Sequence, residues 1–298
     1  MIKNILNKIT GTHLGILVVL VFFTAQVCYA DDNTLTMDQQ GNDVIINVLQ
    51  AGYDNSIDVD LGLASGDSGN EFEVKQYGND NNVFLSVGGN TNSLSLYQEG
   101  AKNSIGWTDT WGSGINWGGD LNGNSNNIMI KQYTDTGKNI ADNYFGFHIQ
   151  GNNNNVKGGQ GYYINDSGTY TRSQGWGDNY MRLDIHGDDN NVITTQRTDA
   201  ANNGATAYVN VYADYNDVYV QQRQGSHTLN LTINNDSNDV WITQAGQPAH
   251  TSTITLTGAY PTDLTLQQGV HATTTALTYT LSQNCVTVGG CSISVTQE

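Results

Sequence analysis

The sequence predicts an all-β protein, a β-solenoid of stacked strand-arc-strand repeats of about 22 residues. Three observations predict it. A seven-residue phrase, Asn-x-apolar-x-apolar-x-Gln, recurs along the chain; a second alternating run lies between successive copies; and clusters of Gly and Asn separate the two.

The phrase stands at Asn33-Leu35-Met37-Gln39, Asn70-Phe72-Val74-Gln76, Asn92-Leu94-Leu96-Gln98 and Asn126-Ile128-Ile130-Gln132. It returns at Asn190-Val192-Thr194-Gln196, Asn216-Val218-Val220-Gln222 and Asn238-Val240-Ile242-Gln244, with a variant at Thr262-Leu264-Leu266-Gln268 and a weaker copy at Asn154-Val156-Gly158-Gln160. Alternation at period two means a strand, and the shared parity puts Asn, both apolar residues and Gln on one face. Val83-Leu85-Val87, Leu229-Leu231-Ile233 and Ile254-Leu256 supply the second strand of their units. The arcs are marked by Gly78-Asn-Asp-Asn-Asn82, Gly123-Asn-Ser-Asn-Asn127, Gly151-Asn-Asn-Asn-Asn155 and Gly187-Asp-Asp-Asn-Asn191, residue types that tolerate a left-handed backbone.

So short a unit cannot bury its inward face alone, and stacking is the remedy. Each strand then pairs with its counterpart one unit on, and the inward amides form ladders along the axis. The expected assembly ladder comprises Asn70, Gln76, Asn92, Gln98, Asn126, Gln132, Asn190, Gln196, Asn216, Gln222, Asn238, Gln244 and Gln268. At ~4.8 Å per layer, about ten layers give a rod on the order of 50 Å long.

Along the chain, residues 1–30 read as a signal peptide: Lys3 and Lys8, an apolar run Leu14–Phe23, and small residues closing at Ala30. Lipidation of Cys28 is the lesser reading, since Val27 precedes it. The apolar run is shorter than the ~20 residues that span a bilayer, so no transmembrane span is expected. Residues 31–105 hold regular repeats; 106–185 hold repeats with long Gly-, Trp- and Asn-rich insertions; 186–298 hold further repeats and a disulfide-bonded end. An even pair in an exported chain, Cys285 and Cys291, reads as that disulfide, with Gly289-Gly290 supplying the bend; metal binding is the rival, but no His lies near them in sequence.

Composition narrows the function. Of 298 residues only 13% are charged, against ~25% usual in soluble domains. The balance of 11 basic to 28 acidic residues, net charge -17, has the wrong sign for nucleic acid. His148, His186, His227, His250 and His271 are scattered, with no metal-ligand spacing, nucleophile elbow or phosphate loop, so no enzyme, metal or cofactor is expected. Parallel β-helix polysaccharide lyases are the nearest enzymatic rival, but the basic or calcium-ligating cluster they present is missing from the sequence. Asp217, Asp239 and Asp263 share one outward slot in consecutive units, so their column should respond to pH or divalent cations unless the arcs splay it into solvent. Trp107, Trp111, Trp117 and Trp176 either stack on sugar rings or cover an open flank of the rod. Ice binding by Thr253-x-Thr255-x-Thr257 would need a flat threonine face over many coils, of which the sequence supplies a fragment.

Gln50-Ala-Gly52-Tyr-Asp-Asn55, Gln76-Tyr-Gly78-Asn-Asp-Asn81 and Gln98-Glu-Gly100-Ala-Lys-Asn103, each followed by alternating residues, resemble the curlin repeat, in which Gln-x-Gly-x-x-Asn joins two strands of one coil. The match is good over 33–105 and looser over 186–270, and insertions interrupt it between 106 and 185. The resemblance implies a subunit of curli-type functional amyloid: secreted by a bacterium, polymerising head to tail with copies of itself, and serving adhesion and biofilm matrix. It further implies a nucleator and dedicated secretion machinery as partners. The sequence points to polymerisation independently, because the last strand, Cys291–Gln297, contains neither Lys nor Pro to blunt its edge. A monomeric solenoid capped by loops is the plainer reading. The alternative function is a non-polymerising adhesin that binds glycan or a cell surface through its aromatic insertions.

Overall fold

The computed structural model describes residues 18–22, 33–39, 45–61, 69, 71–105, 119–133, 143–164, 170–172, 179–198, 204–246, 248–269 and 275–298. Among them every regular element is a β-strand, and all pairing but one short hairpin is parallel.

The strands sort into two sheets. The first has eleven strands in the order β1 (Val18–Phe22), β3 (Ile45–Leu49), β5 (Glu71–Val74), β7 (Ser93–Glu99), β10 (Asn127–Tyr133), β12 (Asn155–Gln160), β16 (Asn191–Arg197), β17 (Asp217–Arg223), β18 (Asp239–Trp241), β20 (Thr262–Thr265) and β22 (Cys291–Ser294). The second comprises β2 (Thr34–Gln39), β4 (Ser56–Leu61), β6 (Asn82–Gly88), β8 (Asn103–Ile105), β9 (Gly119–Asn122), β11 (Asn143–Gln150) and β15 (Tyr180–His186). Isolated parallel bridges, Tyr180 to Thr206, Thr206 to Thr228 and Thr228 to Thr251, carry this second sheet on to β19 (Thr251–Gly258) and β21 (Thr278–Cys285). Only bridges form there because Val209, Asn210, Val211 and Tyr212 all have positive φ, which breaks the regular ladder. The hairpin joins β13 (Tyr162–Ile164) to β14 (Tyr170–Arg172).

From β1 to β8 successive strands alternate between the sheets, each pairing with its counterpart one unit later; between β16 and β18 bridged segments take the second-sheet place. Parallel strands demand a crossover, and the crossover here is a strand of the other sheet rather than a helix. The inward rows meet in one apolar layer running from Ile46 to Leu266. Its parity is the one the phrase specifies: in β7, Leu94 and Leu96 are buried while Ser93, Ser95 and Tyr97 are not. At roughly 1.5–3 kcal/mol for each buried branched residue, this layer is the main stabilising mass. It is complementary in shape as well as in polarity. Gly158 takes an apolar slot in β12, and a Cβ there would lie 2.2 Å from the ring of Phe145 in the opposite sheet, so the phenyl fills the vacancy.

Three features depart from the sequence expectation. The copy Asn33-Leu35-Met37-Gln39 falls in the second sheet, where Gln39 pairs with Leu61, so the first-sheet series starts with β3 and closes on Gln50 instead. The reason is that both strands of a unit alternate, and Asn33 begins a second-sheet strand as Asn55 does. Within the stretch read as a leader, Val18–Phe22 forms the edge strand beside Ile45–Leu49; a continuous run of β-branched and apolar residues adds readily to an open edge. The rest of residues 1–30 lies outside the described residues. Finally, β8 and β9 are two halves of one strand. Ile105 pairs with Val83 and Gly119 with Leu85 on the same neighbour, so the two halves share one register.

Candidate functional site

Three columns of amides run through this scaffold. The innermost is glutamine. Gln76 donates to Gln50 at 3.1 Å and Gln98 to Gln76 at 2.7 Å; Gln132 donates to Gln160 at 2.8 Å and Gln160 to Gln196 at 3.0 Å. Gln244 donates to Gln222 at 2.8 Å, Gln268 to Gln244, and Gln297 to Gln268 at 2.9 Å. From Gln50 to Gln268 these side chains also bond a main-chain carbonyl. Nε2 of Gln98, Gln160, Gln196, Gln222 and Gln244 reaches the main-chain carbonyl of Asn82, Tyr144, Tyr180, Thr206 and Thr228 in the other sheet. The glutamines therefore fasten layer to layer and sheet to sheet at once. Donation changes direction where Gln98 pairs with Gln132, so their Oε1 atoms are buried without a donor, a defect worth about 1–3 kcal/mol each.

The second column is asparagine in the arcs that enter the first-sheet strands. Oδ1 of Asn92, Asn126, Asn154, Asn190, Asn216 and Asn238 accepts the main-chain N–H one unit on, ending at Thr262. Their Nδ2 groups bind arc carbonyls of the next unit, Asn92 to Gly123 and Asn126 to Gly151 for example. Asn70 lies outside the described residues. The third column enters the second sheet: Asn33, Asn55, Asn81, Asn103, Asn143 and Asn179 link in sequence and close on the N–H of Ala205. The sequence marks Asn33 as the start of a phrase copy and Asn55, Asn81 and Asn103 as signature residues, but gives no sign of Asn143 or Asn179. Beyond Ala205 the same slot is held by histidine. His227 and His250 are buried and stacked, and Nδ1 of each accepts the next main-chain N–H. The five histidines thus do not all stand apart, for His148 and His186 also meet, at 5.0 Å. An insertion separates His148 from His186, whereas His227 and His250 stand about one repeat apart, a signal the sequence did carry.

Such columns require arcs that stack backbone on backbone. Gly78 has φ +85°, and a Cβ there would lie 2.0 Å from the carbonyl oxygen of Gly100 one layer up. Only glycine meets both demands.

On the outer surface Asp217, Asp239 and Asp263 pair in register. Partial burial, then the charges of Asp217 and Asp263, raise the carboxyl of Asp239 above its ordinary value. Cys285 and Cys291 form a disulfide with Cα atoms 5.8 Å apart, tying β21 to β22. Trp107, Trp111, Trp117 and Trp176 lie outside the described residues. The exposed Trp241 instead packs beside Tyr219 on the outer face of the first sheet. Among the described residues no group of three or more His, Cys, Asp or Glu side chains is placed to hold a metal ion. No helix there is long and apolar enough to cross a membrane.

The last layer differs from those before it. Leu281 and Ile293 pair with Ile254 and Leu264, which are buried, yet are themselves only partly buried, as are Tyr279 and Val295. Nothing among the described residues covers them.

The chain matches no protein-family model, no curated protein and no solved structure.

Proposed function

We propose that this chain is a secreted structural subunit, a curlin-like β-solenoid that stacks head to tail into extracellular fibres serving adhesion and matrix. In this reading one strand of each sheet and two arcs make one coil, and the amide columns continue from copy to copy. The observation that carries it is the uncovered last layer: Leu281 and Ile293 keep the inward parity of the core, and Gln297 extends the glutamine column to that edge. A second copy presenting β3, with Ile46, Val48 and Gln50 inward, supplies the missing layer once Val18–Phe22 is removed with a leader. The contact is heterologous and does not close on itself, so it propagates. No catalytic group is required. A nucleating partner and an export apparatus belong to the same reading.

Electron microscopy and fibre diffraction of purified residues 31–298 test it. Fibres with a meridional spacing of ~4.7 Å are expected. A chain that stays monomeric at high concentration overturns the proposal in favour of the non-polymerising adhesin.

A further inference from the structure

The outer face of the second sheet holds a groove of about 610 Å³ where β15 gives way to the bridged segments 204–212 and 226–234. Its floor contains a carboxylate that points outward yet is almost wholly buried, Asp184. That burial is matched by partners. Asp184 Oδ1 lies 3.4 Å from Arg182 Nε, while Oδ2 accepts from Asn210 Nδ2 at 2.7 Å and from the Tyr212 hydroxyl at 2.9 Å. A buried charge is retained only where paired, and here it fixes the orientation of three groups that line the groove.

Two further observations point to a ligand. Asn230, partly exposed at the far wall, has no donor to its Oδ1 among the described residues. And the segment that delivers Asn210 and Tyr212 is strained: Val209, Asn210, Val211 and Tyr212 have φ of 91°, 82°, 120° and 52°, values a β-branched residue strongly resists. The distortion leaves Val209 and Val211 in the core while aiming Asn210 and Tyr212 at Asp184. Strain of this kind clusters at ligand clamps.

We propose that this groove binds a neutral saccharide. The chemistry selects the class. Asp184 neutralises Arg182, and the net charge of -17 disfavours an anionic chain. Amide and hydroxyl groups of Asn210, Asn230 and Thr232 offer donors and acceptors side by side, as sugar hydroxyls require. Rings flank them, Tyr208 beside Tyr180 and Tyr212 beside His186, at 6.0 and 4.8 Å, and apolar ring surface suits the C–H faces of a pyranose. Three layers ~4.8 Å apart make the groove roughly 10 Å long, a length suited to a short stretch of glycan. The residues that line the site all belong to one chain, so it does not depend on polymerisation.

Saturation-transfer NMR on residues 31–298 reads bound sugar protons whether the protein is monomeric or assembled, which separates this proposal from the fibre reading. The probes are cellohexaose and chitohexaose, with an alginate hexasaccharide as the anionic counterpart. One neutral probe should bind, Asn230→Ala and Tyr208→Ala should each weaken it at least tenfold, and alginate should not compete. Absence of transfer to both neutral probes, unchanged affinity in the variants, or stronger binding of alginate overturns the proposal. If either variant loses the β-sheet circular dichroism of the parent, Thr232→Val on the groove rim decides in its place, with the same weakening expected.

Discussion

His250 stacks on His227 with ring centroids 5.0 Å apart and planes 6° from parallel, and its main-chain N–H donates to His227 Nδ1 at 3.1 Å. Nε2 of the two rings faces the carbonyls of Arg223 and Ala245, so the bonding pattern assigns the neutral Nε2–H form to both. Burial lowers His227 to about 4, with the second ring adding to the fall and the Arg223 and Gly246 carbonyls opposing it. Burial lowers His250 as well, opposed by the carbonyl of Ala245.

Because the folded value lies below that of a free imidazole, the unfolded chain takes the proton first. The contribution is complete above about pH 6.5 and is lost as pH falls toward 4, at most about 3 kcal/mol for His227. His227→Asn restores the residue that fills this slot in earlier layers. Thermal melts at pH 7 and pH 4.5 should show the parent losing more stability on acidification than the variant.

Gln244→Ala removes the bonds to Gln222 and to the Thr228 carbonyl and takes from Gln268 one of its three acceptors. A cost of about 2–4 kcal/mol is expected, read as a lowered denaturation midpoint. Fibre elongation, followed by dye fluorescence, should slow sharply while secretion persists.

Gly78→Ala combines a positive φ with a Cβ placed 2.0 Å from main-chain oxygen, and neither can relax while the arcs stay stacked. A loss exceeding 3 kcal/mol is expected, measured by denaturant unfolding. Gly289→Ala is the control: its φ is +97°, but nothing lies within 4 Å of the added carbon, so it should cost only the conformational part.

The carboxylate column works in the opposite sense to the histidines. Asp239 is raised in the folded chain, so the fold holds its proton longer, and stability falls as pH climbs past the ordinary carboxylate value. Asp239→Asn should stabilise the chain and speed assembly at pH 7 and change little at pH 3. Equal effects at both values would dissociate the column from assembly.

Much of this scaffold was legible because one period fixes two things together. Asn92-Leu94-Leu96-Gln98 declares both its strand and its inward face, and the register of Gln132 on Gln98 follows from the repeat. What escaped were slots filled by a different chemistry. His227 replaces Asn by offering the same acceptor, and Ala205 closes its column with a main-chain N–H alone; neither is visible as part of an amide motif. Gly158 looked like a damaged copy because the phenyl that completes it belongs to the other sheet. Gln39 was misplaced for a related reason, since local alternation does not say which of two sheets a strand joins. Asp184 and its groove depend on backbone distortion at 209–212, which no pattern of residue types announces.

The divided strand formed by β8 and β9 has a bearing on how such a chain can vary. Its halves are gripped on one side by β6 and on the other by β11, through Ile105 with Phe145 and Asp120 with His148. The cost of a tether between two clamped points rises only slowly with its length. A segment spliced in between Ile105 and Gly119 leaves the register of the two halves on β6 and β11 as it is.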